Sequence, residues 1–92
     1  MLDIDALEGF EWDEHNLEKN WHRHNVAAIE CEQVFLNRPL LVADDVKHSL
    51  AERRHFVLGR TNAGRGLFIV FTVRAERIRV ISARDMSKIE RQ

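Results

Sequence analysis

Gly66-Leu67-Phe68-Ile69-Val70-Phe71-Thr72-Val73-Arg74-Ala75-Glu76-Arg77-Ile78-Arg79-Val80-Ile81-Ser82-Ala83 is the stretch that decides the fold. It predicts two strands, Gly66–Arg74 and Glu76–Ala83, because both runs are rich in Val, Ile and Phe and carry no helical period. So short a connection makes them antiparallel neighbours. Alternation puts Ile69, Phe71 and Val73 on one side of the first strand, and Ile78 and Val80 on the matching side of the second. Working toward the N-terminus, Arg53–Arg60 and Leu40–Ala43 read as further strands, with Phe56 and Leu58 on that same apolar side, which meets the helices. Asp13 is placed to cap a helix that carries Leu17 and Trp21 on one face and ends near His24, with Asn25 closing it in the left-handed conformation. Trp12 and Trp21 read as core anchors. A second short helix spans about Ala27 to Phe35, buries Ile29, Val34 and Phe35, and is stopped before Pro39. Toward the C-terminus, Asp85 is placed to cap a short final helix with Met86 and Ile89. The expected architecture is α+β: two N-terminal helices, an antiparallel sheet of about four strands and a short C-terminal helix.

Ninety-two residues suit one domain, 1–92, near the size at which a single core suffices. An apolar fraction of 45% with a single proline reads as a folded chain and not a disordered one. No apolar run approaches the roughly 20 residues of a membrane span, and the acidic start from Met1 to Asp13 lacks a signal-peptide pattern, so a cytoplasmic protein with no membrane partner is predicted. Cys31 is the only cysteine, which excludes an intramolecular disulfide and a cysteine-based zinc site. The net charge of −1 conceals two halves of opposite sign. Residues 1–52 hold four Lys/Arg and twelve Asp/Glu, a balance of −8, and residues 53–92 hold ten and three, a balance of +7. A polyanion or acidic partner for the second half explains this asymmetry, and so does pairing of the two halves within the fold. Charge alone does not choose.

His48-Ser49-Leu50-Ala51-Glu52-Arg53-Arg54-His55 gathers imidazole, carboxylate and guanidinium groups at a loop-to-strand junction. RNA cleavage needs such groups: a base for the ribose 2′-hydroxyl, an acid for the leaving 5′-oxygen, and arginine for charge growing on the phosphorane. This chemistry requires no metal and no cofactor. A plain ion pair of Glu52 with Arg53 or Arg54 accounts for the same residues, and His48 then sits in a solvated loop. Arg60, Arg65, Arg74, Arg77, Arg79 and Arg84 extend the positive field, and arginine grips phosphate in two-pronged fashion. Phe56, Phe68 and Phe71 read as core, which leaves little for base stacking. His15, Glu18 and His22 share one helix face and read as its wet side more readily than as metal ligands. No helix-turn-helix or long basic recognition helix is present.

Phe10-Glu11-Trp12-Asp13, Lys19-Asn20, Arg23-His24-Asn25-Val26, Val34-Phe35 and Asp44-Asp45 together resemble the opening half of the BrnT family pattern. His48-Ser49, Glu52-Arg53, Leu58-Gly59-Arg60-Thr61, Phe71-Thr72-Val73-Arg74 and Arg77-Ile78-Arg79-Val80-Ile81-Ser82-Ala83-Arg84 follow the family's order and spacing, so the resemblance runs from Phe10 to Arg91. The chain departs at Arg23-His24-Asn25, where the family usually has Lys-His-Gly, and at Asn16, where a lysine is common; Asn tolerates the left-handed turn. The resemblance implies a RelE-like fold and a ribonuclease toxin of a bacterial type II toxin–antitoxin system that cleaves RNA and arrests translation. It implies a BrnA-type ribbon-helix-helix antitoxin, with DNA contacted only through that partner. By motif match it implies His48, Glu52, Arg53 and Arg84 as catalytic residues, with Thr72, Arg79 and Arg60 binding substrate. The alternatives are a non-catalytic module whose basic sheet receives an acidic peptide, and a decayed, inactive toxin.

Overall fold

The computed structural model describes residues 2–48 and 52–91, His48 by its backbone alone. After a 3-10 turn, Ile4–Ala6, come β1 (Gly9–Phe10), α1 (Glu14–His24), α2 (Ala28–Leu36), β2 (Leu41–Asp44), a second 3-10 turn (Val46–His48), β3 (His55–Arg60), β4 (Gly66–Arg74) and β5 (Arg77–Asp85). These form one mixed sheet in the order β1-β5-β4-β3-β2. All neighbours are antiparallel except β1, which lies parallel to β5 through Gly9↔Arg77 and Phe10↔Ile78. The sheet therefore has five strands among the described residues, where sequence gave about four. A two-residue strand carries too little periodicity to be read.

Both helices start and stop as their end residues dictate. The Asp13 carboxylate accepts from the amides of His15 and Asn16, and Asn25 closes α1 at φ 52°. The Glu30 carboxylate reaches back to the Ala27 amide at the start of α2. The short C-terminal helix is replaced by one hydrogen-bonded turn in which the Arg91 amide bonds the Ser87 carbonyl. Asp85 does not cap it: that residue pairs with Leu67 as the last of β5. Ser87 and Glu90 make the capping contacts instead.

The β4–β5 register slips by one residue, with Val70 opposite Ser82 and Phe71 opposite Val80. Ile81 is the extra residue of a β-bulge, and alternation restarts beyond it. Ile78, Val80 and Ala83 consequently all face inward. Past β1, the edge of β5 is sealed by α1: the Lys19 ammonium donates to the Ile81 carbonyl (2.8 Å), and the Asn20 side-chain oxygen accepts from the Ala83 amide (3.2 Å). Two polar side chains thus satisfy an edge that would otherwise stand open.

α1 and α2 cover one face of the sheet. The core lies between them and comprises Val26, Cys31, Val34 and Phe35 from the helical layer and Val57, Leu67, Ile69, Phe71, Ile78, Val80 and Ala83 from the sheet. Phe35 meets Phe71 edge-on at 5.1 Å and Phe10 at 5.5 Å. α2 approaches β3 so closely that a Cβ at Gly59 would fall 2.9 Å from Val34 Cγ1. Three expectations change. On β3 the inward residues are His55, Val57 and Gly59, so Phe56 and Leu58 lie on the outer face. Trp21 is 53% exposed, because Asn20 and not Trp21 takes α1's buried position. Ile29 is 59% exposed and Cys31 is buried in its stead. Trp12 is half-buried, its indole N–H bonded to Glu32 at 2.8 Å.

Ala75 (φ 49°) and Glu76 (φ 65°) form the two-residue turn between the paired Arg74 and Arg77. Two left-handed residues suit the hairpin's twist but strain side chains other than Asn and Gly. Replacing both, Ala75→Asn with Glu76→Gly, is expected to stabilise the fold by about 1 kcal/mol, the relief of strain exceeding the added chain entropy. Urea unfolding monitored by circular dichroism checks this; an unchanged or lower midpoint would show that the turn is unstrained.

Candidate functional site

Alternation across the register assigns the sheet face opposite the two helices. It carries Leu41 and Ala43 from β2, Phe56, Leu58 and Arg60 from β3, Phe68, Val70, Thr72 and Arg74 from β4, and Arg77, Arg79, Ser82 and Arg84 from β5. Without the bulge at Ile81, Arg79 and Arg84, five residues apart, would face opposite ways. With it they share the outer face, and the charged residues there form two stations.

The first station lies at the β4–β5 turn end. Glu52 accepts two hydrogen bonds from Arg74, at 2.6 and 2.7 Å. Beside them Thr72, 3% exposed, sits opposite Arg79. Arg79 bonds Asp13 at 2.7 Å and lies 3.5 Å from Glu11. Asp13 therefore caps α1 with one oxygen and holds Arg79 with the other. The hydrogen bonds from Arg74 hold the Glu52 carboxyl below its usual range, with Arg79 and Arg54 adding to the effect. Sequence offered Arg53 or Arg54 as partner for Glu52; the partner is Arg74, 22 positions away, which no local pattern signals.

The second station is centred on Arg84. Its guanidinium lies 4.2 Å from the centre of the Phe68 ring, and it grips Glu90 with both terminal nitrogens at 2.8 and 3.0 Å. Phe68 stacks on Phe56 at 5.3 Å. Arg84 stands opposite Phe68 and Arg79 opposite Thr72, with Arg74 two residues further along β4. Phe68 to Arg74 spans roughly 20 Å of strand. Glu52 and Arg79 are thus brought together, and Arg84 is not brought to them. Arg60 lies at Arg84's end of the sheet and bonds the Gly64 carbonyl.

Arg53 is exposed and has no carboxylate partner among the described residues. The His48 side chain lies outside the described residues. Arg65 is structural: it ties Asp85 and Glu30 to the carbonyls of His24 and Asn25, joining the sheet's end to both helices. His55, 6% exposed on the helix-covered side, bonds Asp44 at 2.9 Å, a pair that sequence did not single out. Among the described residues no three His, Cys, Asp or Glu gather as a metal site. No helix of those residues is long and apolar enough to cross a membrane.

Hydrogen bonds from Arg84, and then from the Ser87 amide, hold Glu90 at about 2. A carboxyl whose folded value is depressed stabilises the fold above its unfolded value near 4.5 and loses that contribution as pH falls through the folded value. Titrating the Glu90 carboxyl carbon by NMR is expected to give a midpoint near 2 in the parent chain, returning toward 4.5 in Arg84→Gln. An ordinary midpoint in the parent would show that the pair does not hold in solution.

The family model for the ribonuclease toxin BrnT of type II toxin–antitoxin systems matches residues 12–90. No curated protein sequence gives a significant match. The crystal structure of the Brucella abortus ribonuclease toxin BrnT superposes with a TM-score of 0.64 at 22% identity, over 87% of this chain and 97% of that one, a likeness of fold. With nearly the whole chain inside the family model, including Glu52, Thr72, Arg79 and Arg84, this protein belongs to the BrnT family of type II toxin–antitoxin ribonuclease toxins.

Proposed function

We propose that this chain cleaves RNA without a metal on the outer face of its sheet and thereby arrests translation in the cytoplasm. A BrnA-type ribbon-helix-helix antitoxin silences it and supplies any contact with DNA. The observation that carries this reading is the group Glu52, Arg74, Arg79 and Thr72 on an uncovered sheet face, in a chain of a ribonuclease-toxin family. We take the architecture to be RelE-like.

In this reading His48 removes the proton from the 2′-hydroxyl, whose oxygen attacks the adjacent phosphorus as the 5′-oxygen leaves and takes a proton from water. His48 is the better base, because a carboxyl held down by Arg74 is the weaker proton acceptor. Glu52 orients the site. Arg53 and Arg79 neutralise charge on the phosphorane, with Thr72 beneath, while Arg84 and Arg60 hold a different phosphate of the same strand.

A non-catalytic module receiving an acidic peptide is favoured by one observation: each station's arginines already bind carboxylates, Glu52, Asp13 and Glu90. Inducing the chain in a bacterium, beside Glu52→Gln and Arg79→Ala, and following growth and total RNA separates the two. Growth arrest with RNA loss is expected, each substitution lowering cleavage about 10²–10³-fold while antitoxin binding persists. Intact growth and RNA from a folded, soluble parent chain would contradict the ribonuclease reading and leave the binding module or a decayed toxin.

A further inference from the structure

The middle of the outer face is apolar where an uncovered antiparallel sheet is ordinarily polar. Phe56, Leu58, Phe68 and Val70 stand there, half-buried, and among the described residues no helix covers them. Phe68 is flanked by aromatic and cationic planes: Phe56 stacks on it from β3 at 5.3 Å, and the Arg84 guanidinium lies over it from β5 at 4.2 Å. Opposite Phe56 on β2 stands Ala43, a side chain too small to cover a phenyl ring. This three-plane stack runs across the strands.

The same guanidinium is gripped two-pronged by Glu90, the geometry in which arginine takes a phosphate. An aromatic surface joined to such an arginine matches single-stranded nucleic acid, which offers a flat base and an anion in succession.

We propose that Phe56, backed by Phe68 and the Arg84 guanidinium, forms a stacking site for one base of a single-stranded RNA, with a phosphate further along the same strand replacing the Glu90 carboxylate on Arg84. This rests on the ribonuclease reading and adds to it: the strand is held about 20 Å of sheet away from the Glu52 station. Base selection then comes from stacking strength, and purines are preferred.

The test uses the full chain and a fluorescent, fully 2′-O-methylated single-stranded oligonucleotide, which binds but offers no 2′-hydroxyl for attack. Phe56→Leu and Phe68→Leu are each expected to weaken binding about tenfold without changing its salt dependence. Phe56→Trp is expected to keep or tighten binding, which separates stacking from a folding defect. Arg84→Gln lowers the slope of log Kd against log salt by about 0.7, and Glu90→Gln tightens binding about threefold by removing the competing carboxylate. Unchanged affinity in both leucine variants, or binding that is not tightened in Glu90→Gln, overturns the proposal. If the parent cleaves RNA while the leucine variants bind unchanged, only the stacking site falls; if the parent neither binds nor cleaves, the ribonuclease reading falls with it.

Discussion

The seal of α1 along the bulged edge of β5 is the contact on which the arrangement depends. The extra residue, Ile81, changes the parity of the strand, so Ile78, Val80 and Ala83 all enter the core while Arg79 and Arg84 both leave it. A bulge at a sheet edge exposes irregular backbone, and the carbonyl of Ile81 and the amide of Ala83 are met by Lys19 and Asn20. Lys19 and Asn20 are adjacent on α1, whose start is fixed by Asp13, which also holds Arg79. One helix therefore meets the strand's irregularity and holds Arg79 on the far face.

The opposed charges of the two halves meet at defined places. Asp13, Glu30 and Glu52 of the acidic half bind Arg79, Arg65 and Arg74 of the basic half. Arg65 is consumed in fastening the sheet's end to the helices, and its guanidinium is held further toward the charged form by Asp85 and Glu30. Arg74 and Arg84 are held more openly, on the face where substrate is proposed to lie. Exposed ion pairs of this kind are weak enough to exchange a carboxylate for a phosphate. Intramolecular pairing and attraction of a polyanion are thus compatible uses of one charge pattern.

Much of this was legible in the sequence. The helix ends followed from Asp13 and Asn25, and the hairpin from alternation in residues 66–83, because these signals are local. β3 misled because its inward positions carry His55 and Gly59, one paired to Asp44 and the other required by the close approach of α2, so the apolar residues that alternation assigned to the core are outside. That inversion also hid the aromatic pair Phe56–Phe68. β1 is too short to read. At the candidate site, Glu52, Arg79 and Arg84 were named from motif matches, but the Arg74 partner and the separation of Arg84 from Glu52 depend on cross-strand register, which only the folded sheet supplies.

RNA is proposed to lie on the face of the sheet opposite the two helices. Mapping backbone amide shifts by NMR, as the uncleavable oligonucleotide is added to the labelled chain, tests it most directly. Perturbations are expected to concentrate at Phe56, Phe68, Thr72, Arg79 and Arg84, with the exposed faces of α1 and α2 unmoved. Perturbations confined to the helices, with those five residues unchanged, would contradict it.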